Sequence, residues 1–452
     1  MSGIFEAFKG FFERVRSIIF DKGTIRRVMG DTAAVSDEMT SAIRIWADMY
    51  ENGESLKLPG AIAGEMARLI TLELKSEVSG SSRAEIINKK YSEVIDGIRT
   101  PVEQGCAKGG LVFKPYVSGG GLCVDFIQAD AFFPLAFNNS GRITSAAFAE
   151  RIVRGDRFFT RIEKHELHGN EYTVTNRAFM SFSREHIGAP TALSDVPEWS
   201  RLAESMTIGN VTQPLFGYFK PALANRIDPS SPLGVSVFAN AVSLIEEADA
   251  QYARLLWEFE SGERALIANS MAFKLDRDGK LRLPNKRLYR TLDVEDADFF
   301  REWTPTMREQ SFISGLDRIF RQIEFSCGLA YGTLSDVQTT DKTAEEIRAS
   351  KQRSYATVAD NQKALRSALC DLVYAMDVWC SVYKLAPFGK CEASFEFDDS
   401  IVTDRAKEFE EKAQLVSLGI MQPWELRAWY FGEDEETARR NCSNELDGVP
   451  RL

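Results

Sequence analysis

GLAYGTLSDVQTTDKTAEEIRASKQRSYATVADNQKAL, residues Gly328 to Leu365, passes from a glycine-containing polar loop straight into a charged helix. Thr343 and Glu346 have the threonine-x-x-glutamate spacing of a capping box, which satisfies two backbone N–H groups that a helix start leaves unpaired. Glu345 and Glu346 fall in the first turn, where the positive end of the helix dipole favours acids. No proline follows before Pro387, and no glycine lies between Gly332 and Gly389. The pattern predicts one helix from Thr343 to about Tyr383, roughly 60 Å long at ~1.5 Å per residue. Its apolar stripe is thin before Val358 and rich after Leu365, through Leu369, Leu372, Met376 and Trp379. The second half is therefore the half expected to be buried.

Working outward, a shorter helix is predicted just upstream, from about Pro305 to Phe325, with Phe312, Leu316, Ile319, Phe320 and Ile323 in register. Residues 263–305 before it are β-leaning and too few for a self-sufficient domain, with KLDRDGKLRL read as a hairpin turning at Asp278 and Gly279. A helix from about Ser236 to Phe259 precedes that insert, with Val242, Ile245, Ala248, Tyr252, Leu255 and Leu256 on one face and Gly262 as its stop. Residues 1 to about 100 show helical spacing, for example Ile86, Ile87, Tyr91, Val94 and Ile98. From Gly109 to about Arg184 the period changes to two. LVFKPYVSGGGLCVDFI reads as two strands around Gly119, Gly120 and Gly121, and FFTRIEKHELHGNEYTVTNRAFM as a hairpin turning near Gly169 and Asn170. Prolines from Pro190 to Pro232 keep residues 184–235 irregular. Beyond the long helix, CEASFEF reads as a strand and Thr403 as the N-cap of a helix of about Asp404 to Leu418. Gly419 suits its C-terminal stop, Pro423 the first turn of MQPWELRAWYF, and the tail after Gly432 is read as polar and mobile. The class is α+β.

A chain of 452 residues can bury a sizeable core, and its net charge of −11 argues against a broad phosphate-gripping surface. A few basic residues on one inner surface remain compatible with that charge. Cysteines 106, 123, 327, 370, 380, 391 and 442 are scattered without CxxC spacing, which suits reduced thiols of a cytosolic protein. No secretory signal or membrane span is read in the sequence. In MSGIFEAFKGFFERVRSIIF, Phe5, Phe8, Phe12, Val15 and Ile19 share one helical face. That helix is either a membrane-surface anchor or, as is commoner, a helix packed on its own fold or on a neighbouring subunit.

Catalytic chemistry finds no constellation. HELH at 165–168 lacks the i,i+4 histidine spacing of a zinc helix and sits in a hairpin. Asp276, Asp278 and Gly279 imitate a calcium loop, but Arg287 stands where the bidentate glutamate belongs. No GxxxxGK[ST] run, nucleophile set or cofactor motif occurs. The expectation is no enzyme, no metal and no cofactor. Around the loop, Lys342, Arg348, Lys351 and Arg353 cluster with Arg318 and Arg321 of the preceding helix. Glu345 pairs by spacing with Arg348, but the positions four before Arg348 and Lys351 are Ala344 and Ile347, so ordinary helix-face pairing explains only part of the set.

DKTAEEIRASKQRSYATVADNQKAL preceded by GLAYGTLS resembles the tunnel-loop and long-helix segment of tailed-bacteriophage portal proteins of siphovirus type. Three more segments resemble them in the same order: PLFGYFKPALANRIDPSSPLGVSVFANAVSLIEEADAQYARLLWEFESGERAL at 214–266, FISGLDRIFRQIEFSCGL at 312–329, and FDDSIVTDRAKEFEEKAQLVSLGIMQPWELRAWYFGEDEETA at 397–438. The resemblance implies a wing at 1–235 and 343–403, stem helices at 236–262 and 306–328, a clip at 263–305, a tunnel loop at 329–342 and a crown with C-terminal tail at 404–452. It implies a closed ring of about twelve subunits at one capsid vertex, through which double-stranded DNA is packaged and ejected. Terminase, major capsid or scaffolding protein, and a head-completion adaptor are the implied partners, in a virion assembled in the host cytoplasm. DNA-facing candidates are Leu334, Ser335, Asp336, Val337, Gln338, Thr339, Thr340, Lys342, Arg348 and Lys351. Clip candidates for partner binding are Asp276, Arg277, Asp278, Lys280 and Arg282. The competing class is a cytosolic or membrane-associated interaction protein that uses the long helix as a coiled coil.

Overall fold

The computed structural model describes residues 35–446 apart from 54–55, 73, 185, 264, 270–288, 293–299, 305, 337–343 and 398–404. Ser36 opens helix α1 (Asp37–Asn52) by accepting the Met39 N–H at 3.2 Å, and Met39, Ile43 and Trp46 form its buried face. Helix α2 (Leu58–Thr71) follows, then strand β1 (Lys75–Ser79), helix α3 (Ser82–Asp96) and helix α4 (Arg99–Lys108). Strand β1 breaks the helical spacing expected of this region. It pairs with β14 (Glu392–Glu396) more than three hundred residues away, a partner that local periodicity cannot announce. Ile86 stays 43 % exposed although its neighbour Ile87 is buried.

The alternating segments form two antiparallel sheets. Strands β2 (Leu111–Ser118) and β3 (Gly121–Gln128) turn over Gly119 and Gly120, both with positive φ, as a two-residue hairpin loop demands. A larger sheet runs β4 (Phe132–Phe137), β5 (Ile143–Arg154), β6 (Arg157–His168), β7 (Glu171–Ser181) and β8 (Ala189–Thr191) in order, with β9 (Ser205–Gly209) also paired to β7. The β6–β7 hairpin closes where expected, at Gly169 and Asn170 between His168 and Glu171. Strand β10 (Gly217–Phe219) joins β2 to complete a three-stranded sheet ordered β10–β2–β3.

A 3-10 turn at Ala239–Ala241 leads into helix α5 (Val242–Ser261), which starts later than its apolar spacing suggests. Ile245, Ala248 and Leu255 are buried, whereas Leu256 points outward at 46 % exposure. Strands β11 (Ala265–Asn269), β12 (Tyr289–Leu292) and β13 (Phe300–Trp303) form a small mixed sheet with β11 in the middle. Helix α6 (Glu309–Cys327) returns alongside α5, and helix α7 (Ala344–Val382) is 39 residues long. Thr343, the expected N-cap of α7, lies outside the described residues. From Leu365 onward α7 is buried at Leu369, Leu372, Met376 and Trp379, as its sequence stripe requires. Strand β10 crosses it so closely that a Cβ on Gly217 would sit 2.1 Å from the Ala368 carbonyl oxygen.

The described residues divide into two units, 35–71 with 76–395 and 396–446 with 72–75. In the second, α8 (Arg405–Ser417), α9 (Pro423–Phe431) and α10 (Glu435–Leu446) follow one another. Pro423 opens α9 and Gly432 closes it with a φ of 67°, as the sequence suggests. The tail after Gly432 is a correction: α10 is a helix. Asp434 accepts the Thr437 N–H at 3.0 Å, Glu435 and Glu436 occupy the first turn, and Arg439 stacks 4.3 Å over Trp424. Polar composition concealed a capped helix whose anchoring aromatic lies on the preceding one.

Two buried cations tie the first unit together. Arg83 donates to the Pro387 and Ala386 carbonyls, to Asp377 Oδ1 and to Ser381 Oγ, fixing α3 to the end of α7. Lys108 bonds Asp130 at 2.8 Å and Glu51 at 2.6 Å, with the Asp130 side chain fully buried. Burial disfavours the Lys108 charge, but Asp130 and Glu51 outweigh it and raise its pKa. Lys108→Met strands the Asp130 carboxylate and is expected to cost about 3–5 kcal/mol in urea unfolding. Adding Asp130→Leu to that variant should recover most of the loss, because the desolvated pair then disappears as a whole.

Candidate functional site at the loop between helix α6 and helix α7

Helix α6 ends on Gly328, whose φ of 70° places it in the left-handed region. The Leu329 N–H reaches back to the Glu324 carbonyl at 2.9 Å and the Leu329 side chain is buried, which closes the helix as a Schellman-type stop. A Cβ on Gly328 would lie 2.6 Å from Thr357 Oγ1, so glycine also permits α6 to meet α7 here.

Glu324 organises the loop beyond this stop. Its side chain is buried, with 0 % exposure for the residue. Oε1 accepts the backbone N–H groups of Gly332, Leu334 and Ser335 at 3.1, 2.6 and 2.9 Å. Oε2 accepts the Ser335 hydroxyl at 2.9 Å. A buried carboxylate is tolerable only when its lone pairs are met, and here the loop supplies every one of these donors. Seven residues earlier on α6, Asp317 accepts the Asp336 N–H at 2.8 Å and pairs with Arg321 at 2.9 Å.

On the α7 side, the Arg353 guanidinium stands 4.4 Å from the Phe325 ring centroid and 5.3 Å from that of Tyr331. Its Nε and Nη2 make no hydrogen bond among the described residues, so the ring faces take its charge. Helix α7 begins nine residues before Arg353, about 14 Å along its axis.

The expected DNA-facing residues separate accordingly. Ser335 is turned inward, 6 % exposed, with its hydroxyl committed to Glu324. Leu334 is half-buried and Asp336 is exposed. Val337, Gln338, Thr339, Thr340 and Lys342 lie outside the described residues, as do Asp276, Arg277, Asp278, Lys280 and Arg282 of the insert. Arg348 and Lys351 lie on the first turns of α7. Of the basic cluster, Arg321 and Arg353 serve the fold through Asp317 and the two rings, while Arg318 is exposed. Sequence reasoning passed over Glu324. The available signal was an acid beside Ile323, inside the apolar face that also carries Phe320 and Cys327, just ahead of a glycine stop.

At the other end of α6, Glu258 of α5 is 6 % exposed and accepts from the Arg308 N–H, Nε and Nη2 at 3.2, 3.1 and 2.8 Å. The end of α5 therefore meets the start of α6, and the two helices run antiparallel.

The histidines of HELH have no shared role. His165 is buried, bonding Glu163 through Nε2 at 2.6 Å and Tyr172 through Nδ1 at 2.8 Å, whereas the His168 side chain is 79 % exposed. Lys114 and Arg161 each reach Glu163 at 2.8 Å, and the Lys114 pair joins β2 to β6 across the two sheets. Among the described residues no cluster of three or more His, Cys, Asp or Glu could hold a metal, and no helix is long and apolar enough to cross a membrane.

The family described as Phage portal protein, SPP1 Gp6-like matches residues 94–442. This span holds both sheets, α5, the small mixed sheet, α6, the loop and α7, so the chain belongs to the phage portal protein family, whose members serve DNA packaging in the head–tail connector. No curated protein matches the chain in sequence.

The buried network predicts an acid-sensitive fold. Burial lowers the His165 pKa despite Glu163 beside it. Burial opposes the Glu163 charge, but Lys114 and Arg161 hold its pKa well below the usual carboxylate range. Both folded values lie under their unfolded ones, so both contributions are present at neutral pH and are lost as pH falls. The His165 loss begins near the unfolded value of ~6.5, and the Glu163 loss sets in below ~4.3. Stability is expected to fall between pH 7.5 and 5.5, measured by urea unfolding, and His165→Gln should flatten that step.

Proposed function

We propose that the chain is the repeating subunit of a portal ring around a DNA channel at one capsid vertex. The antiparallel pair α5 and α6 is its stem, residues 263–305 its clip, 329–342 its tunnel loop, 1–235 and 343–403 its wing, and 404–452 its crown. The observation that carries this division is the order helix, small sheet, helix, tethered loop, long helix within the matched span. The ring closes around double-stranded DNA with about twelve copies. The clip is the docking place of the terminase during packaging and of a head-completion adaptor afterwards, and capsid or scaffolding protein surrounds the ring. The subunit is structural rather than enzymatic, and it stands in the virion after assembly in the host cell.

Exposure on the stem supports assembly. Leu256, Trp257 and Phe259 on α5 are 46, 61 and 44 % exposed, and Ile313 on α6 is 46 % exposed. Large apolar side chains left open on adjoining helices need a partner, and in a closed ring a second copy supplies it. The coiled-coil alternative loses its basis, because the apolar half of α7 is buried within its own unit.

Light scattering with negative-stain imaging tests the assembly. Ring-shaped particles of roughly a dozen subunits are expected, and a protein that stays monomeric or dimeric at every concentration would sink the proposal. Trp257→Glu should weaken assembly by at least ~2 kcal/mol, about thirtyfold, with the subunit's own unfolding little changed. Deleting Val337–Thr340 should leave rings intact and reduce packaged DNA. Lys351→Glu should alter packaging more than melting temperature.

A further inference from the structure

We propose that Glu324 is the positioning residue of the loop, fixing the course of residues 332–336 to helix α6. Its carboxylate is buried inside the apolar face of α6, where a leucine or methionine would pack with less desolvation. Every hydrogen bond its side chain makes among the described residues goes to the loop: three backbone N–H groups and one hydroxyl within four consecutive residues. Successive amides converging on one anion form a cradle whose shape the anion dictates. The loop thus wraps around a side chain of α6 and has no comparable bond to α7 among the described residues.

Further contacts bracket this latch. Asp317, on α6 as well, takes the Asp336 N–H, the last described residue before the loop continues. From α7, Arg353 presses on Tyr331 and Phe325, and Thr357 abuts Gly328. These α7 contacts bear on the end of α6 and on Tyr331 just after it, whereas among the described residues the hydrogen bonds that hold Gly332 to Asp336 from outside the loop come from α6. Any displacement of α6 therefore carries residues 332–336 with it. That this matters for DNA rests on the portal division proposed above.

The test uses the assembled full-length protein and two readouts. Glu324→Met removes all four acceptor contacts, and hydrogen exchange at Gly332, Leu334 and Ser335 should accelerate at least about tenfold. Exchange in the buried half of α7 should not change. Glu324→Gln keeps an oxygen for the three amides and an N–H for Ser335, so it should restore most of the protection. Packaged DNA should drop with Glu324→Met and recover with Glu324→Gln, while melting temperature and assembly stay near wild type. If Glu324→Met fails to assemble, Ser335→Ala takes its place, since it removes the Oε2 contact together with the bond that Ser335 Oγ accepts from the Gly332 N–H at 3.2 Å. It should raise exchange at Gly332 and Ser335 by about threefold. Unchanged exchange in an assembled variant overturns the latch, and raised exchange with undiminished packaging overturns its positioning role. Full packaging after deletion of Val337–Thr340 would instead overturn the portal reading of the loop and leave the exchange result standing.

Discussion

The first unit is organised around one contact, the apolar half of α7 lying against the β10–β2–β3 sheet. Leu365, Leu369, Leu372 and Met376 are all 0 % exposed, and burying four such side chains is worth about 6–12 kcal/mol before chain entropy is counted. The packing is tight enough that β10 can cross only with glycine at position 217. Helices α2 and α3 pack on the same stretch of α7, and Arg83 pins its end to the carbonyls of the following loop. With its second half locked, the first turns of α7 inherit a fixed base.

On that base α6 is held at both ends by buried glutamates with different tasks. Glu258 clamps Arg308 where the chain returns from the small sheet, and Glu324 gathers the loop where the chain leaves the helix. Neither acid is spaced as a surface helix pair, and each trades desolvation for a defined backbone geometry. Such devices suit a subunit whose insert and loop must be presented in set directions. Under the portal division proposed above, a loop placed on α6 rather than α7 would let motion of the stem reach the channel without disturbing the wing core.

Much of this was legible in the chain. The length and stop points of α7, the hairpins at Gly119–Gly121 and Gly169–Asn170, and the glycine and proline boundaries of α9 follow from local chemistry. The order of segments also carried the family resemblance that the match over residues 94–442 bears out. Other features depended on distant partners. Strand β1 exists because β14 pairs with it, and α10 holds because Arg439 finds Trp424. Ser335 reads as a free loop hydroxyl in the sequence, and only the fold brings Glu324 to claim it.

The sequence by itself determined the period of each element, where most of them stop, and which half of the long helix must be buried. Those properties arise from side-chain spacing and backbone preference within a few residues. Only the tertiary structure decided which charges serve the fold and which remain free for a partner. Arg353 and Arg318 have the same chemistry, yet one is spent on two aromatic faces and the other is exposed. The same holds for Glu324 among the acids of α6. Whether a charge meets rings, amides or water depends on groups brought together from separate segments, and spacing along one helix contains no record of them.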